Sequence, residues 1–596
     1  MEIALPVIGL LGQCYSGAIQ AYSWIQDVVD FPDTAAKLVI RLEVERIRFQ
    51  LWGRNSGADS DTLHPGLAPF ESLIVDVLTK VQQLLCDSDR LRESYGLVSS
   101  MDGDIPRADS SVQSEKRRLL RRVKHTLRSA LDFSATERRQ GGDVNATSPA
   151  AVDHDALIRR TYERVRWVIV SKPRFEALIS DLRLLNNNLN ELLRESQLVN
   201  LTQEWHSIEI GAVTRTDDGP GLEALQEATQ GDANCIGIYA MARRKSIVME
   251  SEAGVNASNS LTVLARNDFH LPNDFQGLSR SVAIHRPWQK YVLIERKRYD
   301  PDISREDKAT LLARLDRLAK LVNSSPDEFL PCMGYWSDTL NHCWCLVYDF
   351  PLNGSPAAQG RELSIPLSAE PLSLLHFLSS KDFRPPLEAR LELAYTLASV
   401  FSRFYGSKWL HKGVRSENIV FPGSGAVYDI SHPTVIGFEY SRQYTEQATI
   451  DRTAQDRGHA MYRHPHYQGP AANGYRMAYD MYSLGLVLAE IAWWQPLEIL
   501  WCPLPRKRAP GLKISETNMV FGSAEAEQVR KIITGRVRDE LAFRVGSNYQ
   551  EVVQWCLTRG DEDQAAGDAD LAMEFYAKVV VPLQNNARFV PGPVSR

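Results

Sequence analysis

From Ile3 to Gln26 the sequence carries no charged residue. A stretch of that length must lie against protein or against lipid, because about 20 apolar residues suffice to span a bilayer. Gln13, Ser16, Gln20, Tyr22 and Ser23 interrupt it. No basic segment precedes it, which argues against a secretory signal peptide. Two readings stay open: a first helix buried in a bundle, or a helix packed in one state and inserted in a membrane in another.

The residues that follow supply partners for such a helix. Leu67, Phe70, Ile74, Val77, Val81 and Leu84 fall at helical spacing. Phe175, Leu178, Leu182, Leu185, Leu189 and Leu192 do the same, and Leu38, Leu42, Phe49 and Trp52 mark a third stripe. Each stripe is one face of a helix that must be covered by another, so residues 1–210 are expected to form a helical bundle. Two polar stretches, 99–113 and 135–155, are rich in Gly, Pro and Ser and read as loops or disorder. Between them "SEKRRLLRRVKHTLRSAL", 114–131, crowds Lys116, Arg117, Arg118, Arg121, Arg122, Lys124 and Arg128 onto one helix. Such a run is usually a solvated face, and it also suits an anionic lipid surface, at roughly 1 kcal/mol per basic residue. Nucleic acid is not expected, since no aromatic side chains interleave with the charges.

"GAVTRTDDGPGLEALQEATQGDA", 211–233, reads as a linker. Short strand-like runs follow: "CIGIYAMA", "SLTVLA", "SVAIH", "YVLIERK" and "HCWCLVYDF". Beyond about residue 370 the pattern is mainly helical. A net charge of -6 gives no general affinity for nucleic acid, and 44% apolar residues suit a soluble globular chain. None of the eight cysteines forms a C-x-x-C pair, so buried thiols are expected and zinc is not.

The region from 234 onward resembles a protein kinase, with a small lobe over about 234–350 and a large lobe over about 351–590. "LEARLELAYTLASVFSRFYGSKWLHKGVRSENIVF" is similar to the long helix and catalytic loop of that family. "HPTVIGFEYSR" is similar to the strand leading to D-F-G, "MYRHPHYQG" to the A-P-E segment, and "AYDMYSLGLVLAEIAWW" to the core helix after it. "CWCLVYDFP" resembles the hinge and "KATLLARLDRLAKLV" the small-lobe helix. In this alignment His411, Asn418, Phe438 and Asp480 are retained. Gly413 replaces the catalytic Asp, Gly437 the metal-binding Asp, and His466 the Glu of A-P-E. Glu295 falls at the strand lysine position, with Lys297 two residues on, and the helix offers Asp316 in place of Glu. Phosphoryl transfer needs those charges. The retained positions brace the fold and the lost ones perform the reaction, so the resemblance implies a pseudokinase without a catalytic or metal site. Lys297 and Asn418 are the residues left to meet ATP, and Glu439 is the only carboxylate near the lost Asp.

The N-terminal region resembles the HeLo domain of fungal prion-inhibition and heterokaryon-incompatibility proteins. The resemblance rests on "GLLGQCYSGAIQAYSWIQ", on Arg48, Leu51, Trp52 and Gly53 closing "LVIRLEVERIRFQLWG", and on "RVRWVIVSKPRFEALISDLRLLNNNLNELL". It implies a multidomain chain, an all-α HeLo bundle followed by an α+β bilobal kinase-like domain. It also implies a bundle that can release its first helix into a membrane and cause cell death under control of the C-terminal module. The corresponding partners are anionic lipids, an upstream protein activator and further copies of the chain. The location is the cytoplasm, with recruitment to the plasma membrane. A divergent active kinase and a non-catalytic scaffold are the alternatives.

Overall fold

The computed structural model describes residues 5–26, 36–60, 62–99, 110–140, 167–252, 261–325, 328–351, 370–422, 429–438, 457–468, 475–501, 521–561 and 567–588. They form two compact units, residues 1–243 and 244–596.

The first unit is built from α1 (Leu5–Gln26), α2 (Ala36–Ser56), α3 (Glu71–Cys86), α4 (Ser88–Glu93), α5 (Ser110–Gln140), α6 (Lys172–Glu191), α7 (Glu195–Thr214) and α8 (Gly219–Thr229), and α9 (Ile236–Glu252) carries the division between units. A two-stranded antiparallel pair, β1 (Leu97–Ser99) with β2 (Trp167–Ile169), joins distant segments. In α1, Leu11, Tyr15, Ala18, Tyr22 and Ile25 are buried at helical spacing, while Gln13 and Ser16 face solvent. The uncharged stretch is thus one wall of a protein core, shared with Phe49 and Trp52 of α2, Ile74, Leu78 and Val81 of α3, and Phe175, Leu178 and Leu182 of α6. Among the described residues no helix is long and apolar enough to cross a membrane.

The α2 helix explains the Arg48–Gly53 pattern. Trp52 donates its indole N–H to the Leu189 carbonyl at 3.0 Å, and its ring lies 6.2 Å from Phe49. Phe49 stacks on Tyr15 at 5.2 Å. Gly53 lets the two helices touch, since a Cβ there would lie 2.3 Å from the Tyr15 ring. Arg48 donates to Glu45 at 3.0 Å and to Asn187 at 2.7 Å. Glu45 is fully buried and also accepts from Arg183 at 3.0 Å and Asn186 at 2.9 Å. A buried carboxylate is tolerated only when its lone pairs are met in this way.

Three expectations change here. Residues 211–233 are folded: Thr214 ends α7, and α8 buries Leu222, Leu225 and Ala228. The Gly-Pro-Gly that suggested a linker marks a helix start, with Asp218 as cap and Pro220 in the first turn. "CIGIYAMA" lies mostly in α9, where Ile238, Met241 and Ala242 are buried at helical spacing. The α5 helix takes in 110–113 and 135–140 at the edges of the two polar stretches; the remaining parts, 100–109 and 141–155, lie outside the described residues.

In the second unit five antiparallel strands are ordered β3 (Phe269–His270), β4 (Arg280–His285), β5 (Lys290–Arg298), β7 (Cys343–Asp349), β6 (Cys332–Asp338). A helix, α10 (Arg305–Asn323), stands between β5 and β6 in sequence. Of the expected strand runs, "SVAIH", "YVLIERK" and "HCWCLVYDF" lie in β4, β5 and β7, whereas "SLTVLA" contributes one bridge, Val263 to Tyr335. Cys343 and Cys345 are buried free thiols on one sheet face, packed with Val292, Ile294 and Trp336. A mainly helical region follows, centred on α11 (Leu387–Gly406) and α12 (Met477–Trp493). Every residue of α12 is buried.

Candidate functional site

The segment 411–420 and the segment 434–438 meet through a short antiparallel pair, β8 (Ile419–Val420) with β9 (Thr434–Val435). Their shape is set from below by Asp480, fully buried on α12. Asp480 accepts the backbone N–H of His411 at 2.6 Å, that of Lys412 at 2.9 Å, and the Tyr475 hydroxyl. Burial raises its pKa, and those three donors pull it down. The anchoring holds Lys412 at φ 62, a conformation few non-glycine residues adopt.

The His411 ring is held on both sides. Nδ1 accepts the Gly413 N–H at 3.1 Å, which leaves Nε2 to donate to the Ile436 carbonyl at 2.9 Å. Phe438 lies 4.7 Å from His411 and stacks on Trp409 at 4.9 Å, with Phe404 and Phe329 behind. His411, Phe438 and Asp480 are therefore brought together as a buried brace.

Asn418 takes the centre. Its amide donates to the Gly413 carbonyl at 2.6 Å. Gly437 has φ 82, and a Cβ built on it would fall 2.4 Å from the Asn418 amide carbon. The space a side chain at 437 would need is occupied by Asn418. Gly413 differs: a Cβ there meets neighbours at 3.5 Å, an ordinary contact. The Asn418 Oδ1 atom is buried without a hydrogen-bond partner among the described residues.

On β5, Glu295 is buried and accepts from Arg280, its cross-strand neighbour, at 2.8 Å. Arg280 also reaches the Glu417 carbonyl at 3.4 Å. Lys297 is half-buried two residues along the strand. Asp316 accepts the Leu261 N–H at 3.0 Å and pairs with Lys320 at 2.9 Å. The structure thus gives the strand acid an arginine partner. Glu439 lies outside the described residues. Among the described residues no cluster of three or more His, Cys, Asp or Glu is placed to hold a metal. What the arrangement can do is brace two segments; it presents no carboxylate to a magnesium-bound phosphate at 413 or 437.

Two features have little signal in the sequence. Glu490, fully buried, accepts from Tyr462 at 2.7 Å, from the Leu497 N–H at 2.7 Å and from Ser416 at 3.3 Å, and burial raises it to about 7. Arg244, also fully buried, pairs with Glu328 at 2.6 Å and donates to Ser325 at 2.7 Å. Its guanidinium faces Phe329 at 5.2 Å and Phe404 at 5.6 Å, rings of the Phe438 cluster. Lone charges in apolar runs read as surface until their partners are seen.

The basic helix is split by the fold. Arg118, Arg121 and Arg122 are exposed and Lys124 is half-buried. Arg117 lies on the same helix. Arg128 turns inward and holds the buried Glu43 carboxylate at 2.8 and 3.1 Å.

Residues 3–225 match the family model of the HeLo domain, described as prion-inhibition and propagation. The match runs into α8, past the expected boundary at 210. No curated protein gives a significant match to the chain.

Proposed function

We propose, from a HeLo domain over residues 3–225 as the premise, that the chain is a fungal signalling protein whose helical bundle acts on membranes under the control of a catalytically silent kinase-like domain. The single observation that carries the second half is the packing of Asn418 into the side-chain space of Gly437. A kinase holds Mg²⁺ there with the D-F-G Asp and the catalytic-loop Asn; here the Asp position is Gly437, and the Asn418 amide fills its side-chain space. The antiparallel order β3-β4-β5-β7-β6, with one helix between β5 and β6, supports the kinase-like reading, because it is the small-lobe plan of that family. The Asp480, His411 and Phe438 brace supports a retained scaffold. In this role the lobe answers a protein activator, and the bundle moves from the cytoplasm to the plasma membrane. ATP is not required.

The membrane half is supported by the uncharged α1 and the exposed arginines of α5. The α1–α3–α6 core closes within the first unit. Residues 1–252, which keep α9 whole, are therefore expected to bind anionic vesicles and release a trapped dye, and a variant lacking residues 1–23 is expected not to. Absence of binding and leakage would overturn this half. Thermal-shift titration of the full chain with ATP, with and without Mg²⁺, tests the other half, and a flat response is expected. Transfer of labelled phosphate that Asn418→Ala abolishes would establish a divergent kinase instead.

A further inference from the structure

One cavity of the first unit is basic, and it shares Arg121 and Arg122 with the exposed arginines of α5 invoked above. Arg121, Arg122, Val123, His125 and Thr126 of α5, with Arg215, Thr216 and Asp218 beyond α7, line an open cleft of about 420 Å³. That volume falls in the range of small-molecule sites, about 300–1,000 Å³, and is far larger than one inorganic anion needs. Three guanidinium groups border it, against one carboxylate. Asp218 holds Arg122 at 3.7 Å, beyond hydrogen-bond reach, and its other oxygen accepts the Gly221 N–H at 2.8 Å as cap of α8. The positive end of that helix is therefore at the cavity wall, where it adds to the field of the arginines.

The neutral lining narrows the ligand. Apart from the imidazole of His125 it offers no aromatic face on which a nucleobase could stack. Thr126 and Thr216 donate their hydroxyl protons to the Arg122 and Ala212 carbonyls, at 3.0 and 2.7 Å, so their oxygens can accept. Phosphates facing guanidiniums and hydroxyls facing threonine oxygens describe a phosphorylated polyol.

We propose that this cavity binds a polyol carrying two or more phosphate groups, with Arg121, Arg122 and Arg215 as anion receptors and Thr126 and Thr216 as acceptors for its hydroxyls. A soluble inositol phosphate and the headgroup of a phosphoinositide share this chemistry. The proposal rests on the membrane reading only for the second source. Asp218 is its built-in competitor: an arriving phosphate must take Arg122 from it.

The test is isothermal titration of the full chain with inositol hexakisphosphate, beside co-sedimentation with phosphatidylcholine vesicles doped with phosphatidylinositol 4,5-bisphosphate. One-to-one saturable binding is expected. The double substitution Arg121→Gln/Arg122→Gln should weaken it by roughly 25-fold, about fivefold per cation lost at about 1 kcal/mol each. Asp218→Asn should tighten it several-fold, since Asn caps a helix about as well and removes the competing charge. Both changes are on the surface, and an unchanged melting curve shows that the fold is kept. Soluble binding without vesicle binding assigns a free metabolite; vesicle binding displaced by inositol hexakisphosphate assigns the lipid. No binding, or binding that both variants leave unchanged, overturns the proposal. Dye release with no binding here removes this pocket and leaves the membrane reading standing; binding without dye release does the reverse.

Discussion

An alanine at Gly437 would set its Cβ 2.4 Å from the amide carbon of Asn418, in a backbone conformation at φ 82. Left-handed strain and overpacking together should cost about 2–4 kcal/mol. Gly437→Ala is expected to lower the melting temperature of the second unit by many degrees. Gly413→Ala, whose Cβ meets only ordinary contacts, should be neutral or stabilise by up to about 1 kcal/mol. Chemical denaturation of the two variants side by side checks the contrast, and equal losses would contradict it. Glu490 belongs to the same scale. Its carboxyl stands at about 7 against an ordinary value of 4.5, because burial disfavours the charge. Between those values the folded state keeps a proton that the unfolded chain has released. Stability is therefore highest below about 4.5 on this account and falls as pH rises through 7. The loss should be about 3.5 kcal/mol at most, reached once pH has passed 7, since one pKa unit is worth about 1.4 kcal/mol. Glu490→Gln should flatten the dependence between pH 5 and 8, measured by denaturant midpoints.

At the scale of elements, α2 holds the first unit together by two means. Phe49 and Trp52 stack on α1, and Glu43 and Glu45 are buried among arginines from α2, α5 and α6. Glu45→Ala would leave Arg48 buried without its carboxylate, and removing one member of a buried pair costs about 3–5 kcal/mol. The expected result is loss of cooperative unfolding in the first unit, followed by circular dichroism. Glu45→Gln should cost less, because the amide can still accept. The stripes of α3 and α6 were legible in the sequence, as each is a long helix with one apolar face. So was the buried character of α1 as one of two readings. The start of α8 and the helical state of α9 were not. Gly and Pro mark both linkers and helix starts, and a short apolar run suits strand or helix until its neighbours are known.

For the whole molecule, the sequence order of bundle, sheet and helical region is the order of the structure, and the two units part at residue 243. At the candidate site the positions of His411, Phe438 and Asp480 follow from motif spacing. The Arg280–Glu295 exchange and the place of Asn418 do not, because each depends on a contact between residues far apart in the chain. Arg244 gives a test at this scale. It is buried in the second unit against Glu328 and three aromatic rings. Arg244→Ala would strand the Glu328 carboxylate with Arg403 alone and open a cavity among the rings. Hydrogen exchange followed by mass spectrometry should show faster exchange at 397–411 and 436–438, and unchanged exchange in α1 to α3. Equal acceleration in both units would contradict the assignment of Arg244 to the second core.

On the kinase-like reading proposed above, the packing at Gly437 also bears on how a carboxylate could enter the site. An aspartate substitution would place a carboxylate at 413 or at 437. At 413 the fold has room for it. At 437 the Asn418 amide already stands in that room, and an aspartate could enter only after Asn418 had moved, taking with it the bond that holds the Gly413 carbonyl. The step at 437 would pass through a less stable protein, and the step at 413 would not. Crowding by Asn418 thus keeps a carboxylate out of position 437, where space alone would not keep one out of 413.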